Sequence, residues 1–286
     1  MDDAQTPREP PAHRRAHGSN GALRAAAERR LRRRRLRHVG NTLYGTLRFV
    51  AEHVQGVYSA YAAFLSIAFV GAAALAAFVG VAKVVLEGFA QPWDDSFLRW
   101  IAAYRTPFLT RIALQVTQLG TGIVLAMIVL IGSSFLWLTR HRHSSYLLLA
   151  SYFGAWLLNN VLKDVFERPR PLVVSPLAAT ATWSFPSGHA MTSIAAYGCI
   201  ALLVTRLEDN GATRAFTWFL AVVVVLLIGA SRLYLGVHYP SDVIGGFAAG
   251  LAWVAFAAAG MTALQFFARR APAIHEDERH LERPRR

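Results

Sequence analysis

Two histidines, an aspartate and a spaced set of cations are the residues here whose types could do chemistry. They fall in three stretches: Lys163-Asp-Val-Phe-Glu-Arg-Pro-Arg170-Pro171, then Pro186-Ser187-Gly188-His189, then Ser231-Arg232 followed by His238 and Asp242. A phosphoryl group in transfer carries negative charge on its non-bridging oxygens and needs several fixed donors around it. Lys163, Arg170 and Arg232 supply cationic donors from separate segments, and the planar fork of arginine suits phosphate well. Ser187 and Gly188 stand where a helix is predicted to begin, so free backbone N–H groups and the helix dipole favour an anion there. Glycine also lets the backbone approach closely. Together these residues describe a phosphate cradle.

The histidines add turnover to binding. One imidazole can attack phosphorus while another donates a proton to the leaving alkoxide. Asp242 follows His238 by four residues, and a helix opening at Pro240 brings both near its first turn. A carboxylate on one ring nitrogen fixes the tautomer and leaves the other nitrogen as nucleophile. His238 is therefore the candidate nucleophile and Asp242 its orienter. His189 is the candidate acid for the departing oxygen, and in a second step the base that activates water. A lone histidine near a span end is more often an interfacial residue. The joint pattern is what lifts these two above that explanation.

The elements that must hold these residues are membrane helices. Hydrophobic residues make up 54% of the 286 residues and charged residues 16%, and long stretches carry almost no charge. A soluble domain needs polar residues along every element to cover its surface. A helix crossing a bilayer needs about 20 mostly apolar residues. Six segments are predicted as spans: Tyr58–Val81, Ile112–Leu138, Ser145–Leu162, Ala190–Leu203, Phe216–Ser231 and Val243–Phe267. The fourth and fifth are short and are expected to extend by a turn. The chain thus divides into a basic disordered tail (1–41), an amphipathic lead-in (42–57), a six-span domain (58–268) and a second basic tail (269–286).

The net charge of +13 is concentrated in the tails: 12 arginines lie in the first 50 residues and six from Arg269 onward. Basic flanks beside apolar segments mark cytoplasmic ends and attract anionic lipid head groups, so nucleic acid is not the expected partner. Six spans put both termini on the cytoplasmic side and the three motifs at the opposite, outer face of the cell membrane. The single cysteine, Cys199, excludes an intrachain disulfide and reads as a small buried hydrophobe. No acidic or Cys/His set has metal-ligand spacing, and no cofactor motif is present.

The succession Lys-(six residues)-Arg-Pro, Pro-Ser-Gly-His, Ser-Arg-(five)-His-(three)-Asp resembles the type 2 phosphatidic acid phosphatase (PAP2) family. All three motifs are complete and in order, and the resemblance spans about residues 90 to 265. It implies an all-α, six-helix membrane bundle whose active-site core is shared with vanadium-dependent haloperoxidases. It implies metal-free hydrolysis of a lipid phosphate or diphosphate through a phosphohistidine. Substrates of the family include phosphatidic acid, phosphatidylglycerol phosphate and polyprenyl diphosphate. Residue by residue it implies phosphate contacts from Lys163, Arg170, Ser187, Gly188 and Arg232, acid/base work by His189, and attack by His238 oriented by Asp242. Arg168 lies between motif anchors and receives no role. Transfer of the phosphoryl group to another acceptor, or a non-enzymatic transporter or scaffold, are the alternatives.

Neighbouring residues have plainer expectations. Asp164 and Glu167 are predicted to pair with Arg168 or Arg170. Asn159 and Asn160 either support the cradle or bond between helices. Trp93, Trp100 and Tyr104 read as an interfacial aromatic belt.

Overall fold

The computed structural model describes residues 61–281, with side chains through 265. The N-terminal tail and the lead-in lie outside the described residues. Within them every element is helical. In chain order these are α1 (Tyr61–Leu86), α2 (Gln91–Ala102), α3 (Pro107–Gln118), α4 (Gly122–Leu138) and α5 (Arg142–Phe166). Then come α6 (Gly188–Leu207) and α7 (Gly211–Tyr234), and α8 (Pro240–Leu281).

Four of these, α1, α6, α7 and α8, are long and apolar enough to cross a membrane, and the bent pair α3–α4 makes a fifth. α5 is less apolar because Asn159, Asn160, Lys163 and Asp164 fall in its last turns, yet its 25 residues span about 38 Å at 1.5 Å per residue. On length and composition, five of the six predicted spans are thus found among the described residues, and α5 is the one that falls short in apolar character. The short fourth and fifth segments do extend at both ends. The second differs from a single straight span: α3 and α4 meet at 43° across Leu119-Gly120-Thr121, where the Thr121 hydroxyl donates to the Gln118 carbonyl at 2.8 Å. α2 is a further short helix with no counterpart among the predicted spans.

Local chemistry sets the ends. Thr106 caps α3, accepting from the Leu109 N–H at 3.2 Å, and Pro107 fills the first helical position, where a missing N–H costs nothing. Asn210 caps α7 through the N–H groups of Ala212 and Thr213. α5 stops at Glu167, which takes a left-handed conformation just before Pro169. α8 opens at Pro240, as the sequence predicts.

The core lies where α4, α5, α6 and α8 meet, around Leu125, Leu147, Leu148, Phe185, Met191 and Cys199. Cys199 is buried and unbridged, in keeping with its expected role as a small hydrophobe. Large apolar side chains such as Phe69, Ile123, Phe135 and Phe256 stay exposed around the bundle. Apolar surface on that scale is what a lipid solvent requires. The chain is an integral membrane protein.

Phe185 couples the core to the functional loops. It is fully buried, stacks on Phe78 at 5.8 Å and meets the Phe166 ring edge-on at 4.9 Å. The Pro186–His189 motif follows directly and is pressed against α8 at Gly246. A Cβ there would fall 2.6 Å from the Ser187 carbonyl oxygen and 2.9 Å from the Ala190 Cβ, so only glycine admits this approach. Gly246→Ala is expected to lower the thermal unfolding midpoint in detergent, by the equivalent of about 1–3 kcal/mol. Gly260→Ala, where a Cβ meets nothing within 4 Å, should leave the midpoint unchanged or raise it through helix propensity. Equal midpoints for the two variants would contradict this packing.

Candidate active site

The three motifs are tied together by backbone before any side chain is considered. The Ser184 N–H donates to the Arg168 carbonyl at 2.8 Å, joining the first motif to the segment ahead of the second. The Ser187 N–H donates to the Asp242 carbonyl at 3.0 Å, joining the second to the third. That bond corrects one expectation: the Ser187 N–H is occupied, and it is the Ser187 hydroxyl that remains buried without a protein partner. Gly188 occupies a tight place, since a Cβ there would lie 2.9 Å from Asn159 Oδ1. Asn159 in turn donates to the Pro186 carbonyl at 3.3 Å. Asn159 therefore supports the loop, whereas Asn160 bonds only to Trp156 one turn back in its own helix.

His238 is 2% exposed and Asp242 fully buried. Their closest approach is 3.4 Å, from His238 Nδ1 to Asp242 Oδ2. The other ring nitrogen, Nε2, lies 3.3 Å from Arg170 Nη1. A guanidinium can only donate, so Nε2 accepts and the ring proton belongs on Nδ1, facing the carboxylate. This is the tautomer a nucleophile needs. Burial lowers the His238 pKa to about 3, against the opposing pull of Asp242, so the imidazole is neutral.

Asp242 has a partner for every direction. Oδ2 also accepts from the Ser184 hydroxyl at 2.5 Å and the Tyr239 N–H at 2.8 Å. Oδ1 accepts from Arg168 Nη1 at 2.6 Å. The sequence pairs Asp164 and Glu167 with Arg168 or Arg170; the structure instead pairs Arg168 with Asp242 and with Asp94 of α2, the latter at 2.8 Å. Burial opposes it, but these two carboxylates hold the Arg168 pKa above its ordinary value.

The cations are held by oxygens of the protein. Arg170 donates to the carbonyls of Thr182 and Val237, each at 2.6 Å. Lys163, buried at the end of α5, donates to the Thr182 hydroxyl at 3.1 Å and to the Trp183 carbonyl. Arg232 donates to the Thr117 hydroxyl of α3 at 2.9 Å, while its Nε has no protein partner. His189 lies within electrostatic reach of Arg232, His238, Arg170 and Lys163, and its Nε2 is likewise buried and unpartnered. Buried polar atoms without partners are rare and cost roughly 1–3 kcal/mol each. Three such atoms, Ser187 Oγ, His189 Nε2 and Arg232 Nε, belong to motif residues. An anion with several acceptor oxygens is the partner they fit.

Of the eight candidate residues from the sequence, Lys163, Arg170, His238, Asp242 and Ser187 are linked through hydrogen bonds and Gly188 packs beside Asn159 and Lys163; the His189 and Arg232 side chains make no hydrogen bond to the others. Other residues at the site have weaker sequence signals. Ser184 and Ser241 are short-range neighbours of motif residues, and Arg168 lies inside the first motif. Thr117 and Asp94 contact the site from α3 and α2, 115 and 74 residues away from their arginine partners. No spacing rule reaches that far. Trp93, Phe97, Trp100 and Tyr104 form a ring ladder with centroids 5.3–5.8 Å apart, in which Phe97 is half-buried and the other three are exposed.

Comparison with known proteins places these motifs in a wider set. A family model described as the PAP2 superfamily matches residues 144–266. Phosphatidylglycerophosphatase B of Bacillus subtilis (strain 168) is 35% identical over 176 residues, 61% of this chain and 86% of that protein. Undecaprenyl-diphosphatase of Sulfolobus acidocaldarius is 34% identical over 122 residues, 41% of this chain and 54% of that one. A crystal structure of a transmembrane PAP2 type phosphatidylglycerolphosphate phosphatase from Bacillus subtilis aligns with a TM-score of 0.61 at 32% identity. It covers 65% of this chain and 93% of the other.

The depressed His238 pKa has a readable consequence. Because the folded value lies below the ordinary 6.5, the neutral ring stabilises the fold above about pH 6.5, and that contribution is lost as pH falls through the window toward about 3. Imidazole nitrogen chemical shifts, assigned with His238→Ala, should report a neutral His238 at about pH 5, where a solvent-exposed histidine is mostly charged. A His238 resonance that titrates near 6.5 would contradict the burial described.

Proposed function

The chain belongs to the PAP2 superfamily and is a membrane lipid phosphatase of the PAP2 type; from that premise we propose that it works through a phosphohistidine on His238. The observation that carries this is the division of the His238 ring. Nδ1 faces Asp242, and Nε2 is 3.3 Å from Arg170, at the cationic side of the site. A phosphoryl group held by Arg170, Lys163 and Arg232 draws Arg170 onto its own oxygens and so meets the Nε2 lone pair that Arg170 otherwise occupies, with the Ser187 hydroxyl and the Gly188 N–H as further donors.

Nε2 attacks phosphorus and forms the P–N bond as the P–O bond to the lipid breaks. His189 gives its proton to the departing oxygen. The imidazole gains positive character as phosphorus bonds to it, and Asp242 stabilises the Nδ1–H that must stay in place. In the second half His189, now neutral, takes a proton from water as the water oxygen attacks phosphorus. The P–N bond breaks, inorganic phosphate leaves and His238 is restored. Side-chain cations balance the charge that a metal supplies in other phosphatases.

The substrate class is a lipid phosphomonoester or diphosphate of the phosphatidic acid, phosphatidylglycerol phosphate or polyprenyl diphosphate type. A site at the helix ends lets the head group enter while the tail remains in lipid. The excess of arginine in the tails supports cytoplasmic termini in the cell membrane, with the site at the outer face.

Phosphate release by the purified protein, in detergent with EDTA present, is expected from at least one of these three lipids. His238→Ala and His189→Ala are each expected to lose at least about a hundredfold in kcat, the scale of acid/base or nucleophile removal. Vanadate, which adopts the five-coordinate geometry of in-line transfer, is expected to inhibit. Activity lost with EDTA and restored by a divalent metal, or full activity in His238→Ala, would count against the mechanism.

A further inference from the structure

One guanidinium between two carboxylates lies directly behind the candidate nucleophile, and one of those carboxylates lies outside the segment matched by the family model. Arg168 is 8% exposed, and Asp94 and Asp242 are fully buried. Arg168 Nη2 donates to Asp94 Oδ2 at 2.8 Å and Nη1 to Asp242 Oδ1 at 2.6 Å. Ser241 closes the ring. Its N–H donates to Asp94 Oδ1 at 3.0 Å, its hydroxyl donates to Asp94 Oδ2, and its oxygen accepts from Arg168 Nη1 at 2.7 Å. Gln91 Oε1 accepts from Arg168 Nη2 at 3.2 Å, and the guanidinium lies 4.3 Å over the Tyr239 ring. Arg168 is thereby fixed on all sides, and so is Oδ1 of the catalytic carboxylate.

Charge gives this arrangement a consequence beyond rigidity. A buried arginine paired with Asp242 alone would make a neutral pair, and its positive charge would offset the field that Asp242 exerts on the His238 ring. With Asp94 as a second anion, the group Asp94–Arg168–Asp242 carries one net negative charge. Asp242 Oδ2, whose donors Ser184 and Tyr239 are neutral while Arg168 bonds to Oδ1, is the oxygen that faces His238 Nδ1. Because all three residues are buried, salt screens this field weakly.

Resting on the phosphohistidine reading, we propose that Asp94 is a positioning residue for the reaction: acting through Arg168 and Ser241, it aims Asp242 at His238 and keeps that carboxylate's charge available to the imidazole. Asp94 touches neither substrate nor His238. α2 is the element that delivers it, with Asp94 and Leu98 buried on its inner face and Trp93 and Trp100 exposed.

The test is a double-mutant cycle with Asp94→Asn and Asp242→Asn. Phosphate release from phosphatidic acid, phosphatidylglycerol phosphate and undecaprenyl diphosphate would be followed in detergent, under single-turnover conditions for the weak variants. Asp94→Asn alone should lower kcat by roughly 10- to 100-fold, the usual scale for residues that orient a reacting group, with KM within about twofold. In the Asp242→Asn background the same change should cost less than about threefold, because the carboxylate it orients is already gone. A kcat for Asp94→Asn within threefold of wild type overturns the proposal, as does an equal loss in both backgrounds or a change confined to KM. If Asp94→Asn does not fold, Arg168→Lys enters the same cycle, since a lysine ammonium cannot bridge two carboxylates as the guanidinium fork does. Wild-type protein that releases phosphate from none of the three, or His238→Ala that remains active, overturns the reading beneath the proposal. Those results differ from an inactive His238→Ala beside an unaffected Asp94→Asn.

Discussion

Asp242 has no solvent exposure, and a carboxylate taken out of water must have both oxygens met by donors. Its surroundings follow from that requirement. Arg168 comes from the loop after α5, Ser184 from the loop before α6 and the Tyr239 N–H from the turn into α8. The neighbouring Arg168 draws Asp94 of α2 into the same ring. Three segments far apart in sequence, the α5–α6 loop, the turn into α8 and α2, are thus brought together around one buried charge. Its backbone carbonyl, accepting from Ser187, ties the second motif to the third. Leaving any one of these donors out would strand charge in the interior, so the network forms as a whole.

The bilayer explains where this network sits. Most of the bundle surface is apolar, and a polar cluster at mid-depth would be costly. The motif residues instead occupy helix ends: Lys163 at the close of α5, Ser187 to His189 at the start of α6, Arg232 near the end of α7 and Asp242 in the first turn of α8. Phe185 separates this polar end from the aromatic core beneath it, meeting Phe78 and Phe166. Gly246 then lets α8 close against the loop. Lipid outside and phosphate chemistry at the end are two consequences of the same placement of polar residues.

Much of this could be read from the sequence, for identifiable reasons. Apolar runs of span length betray the helices, because a bilayer tolerates little else. The eight candidate residues sit in short motifs, and His238 and Asp242 are brought near by a helix start that Pro240 announces. What could not be read depends on pairing across distance. Arg168 looked like a spare cation beside Asp164 and Glu167, its sequence neighbours, but Glu167 turns into a left-handed conformation that ends α5, and Arg168 reaches Asp94 and Asp242. Asp94 has an ordinary local context, and only tertiary packing makes it a partner of the site. The occupied Ser187 N–H and the bend between α3 and α4 were invisible for the same reason.

The central claim is that His238 carries the phosphoryl group. The most direct measurement is an alkaline quench of the enzyme during turnover of a lipid bearing a radiolabelled transferable phosphate, followed by peptide mapping. The account predicts acid-labile, alkali-stable label on the peptide containing His238, appearing within a single turnover and absent from His238→Ala. Label on a different residue, or none under conditions that trap a phosphohistidine while phosphate is being released, would contradict it.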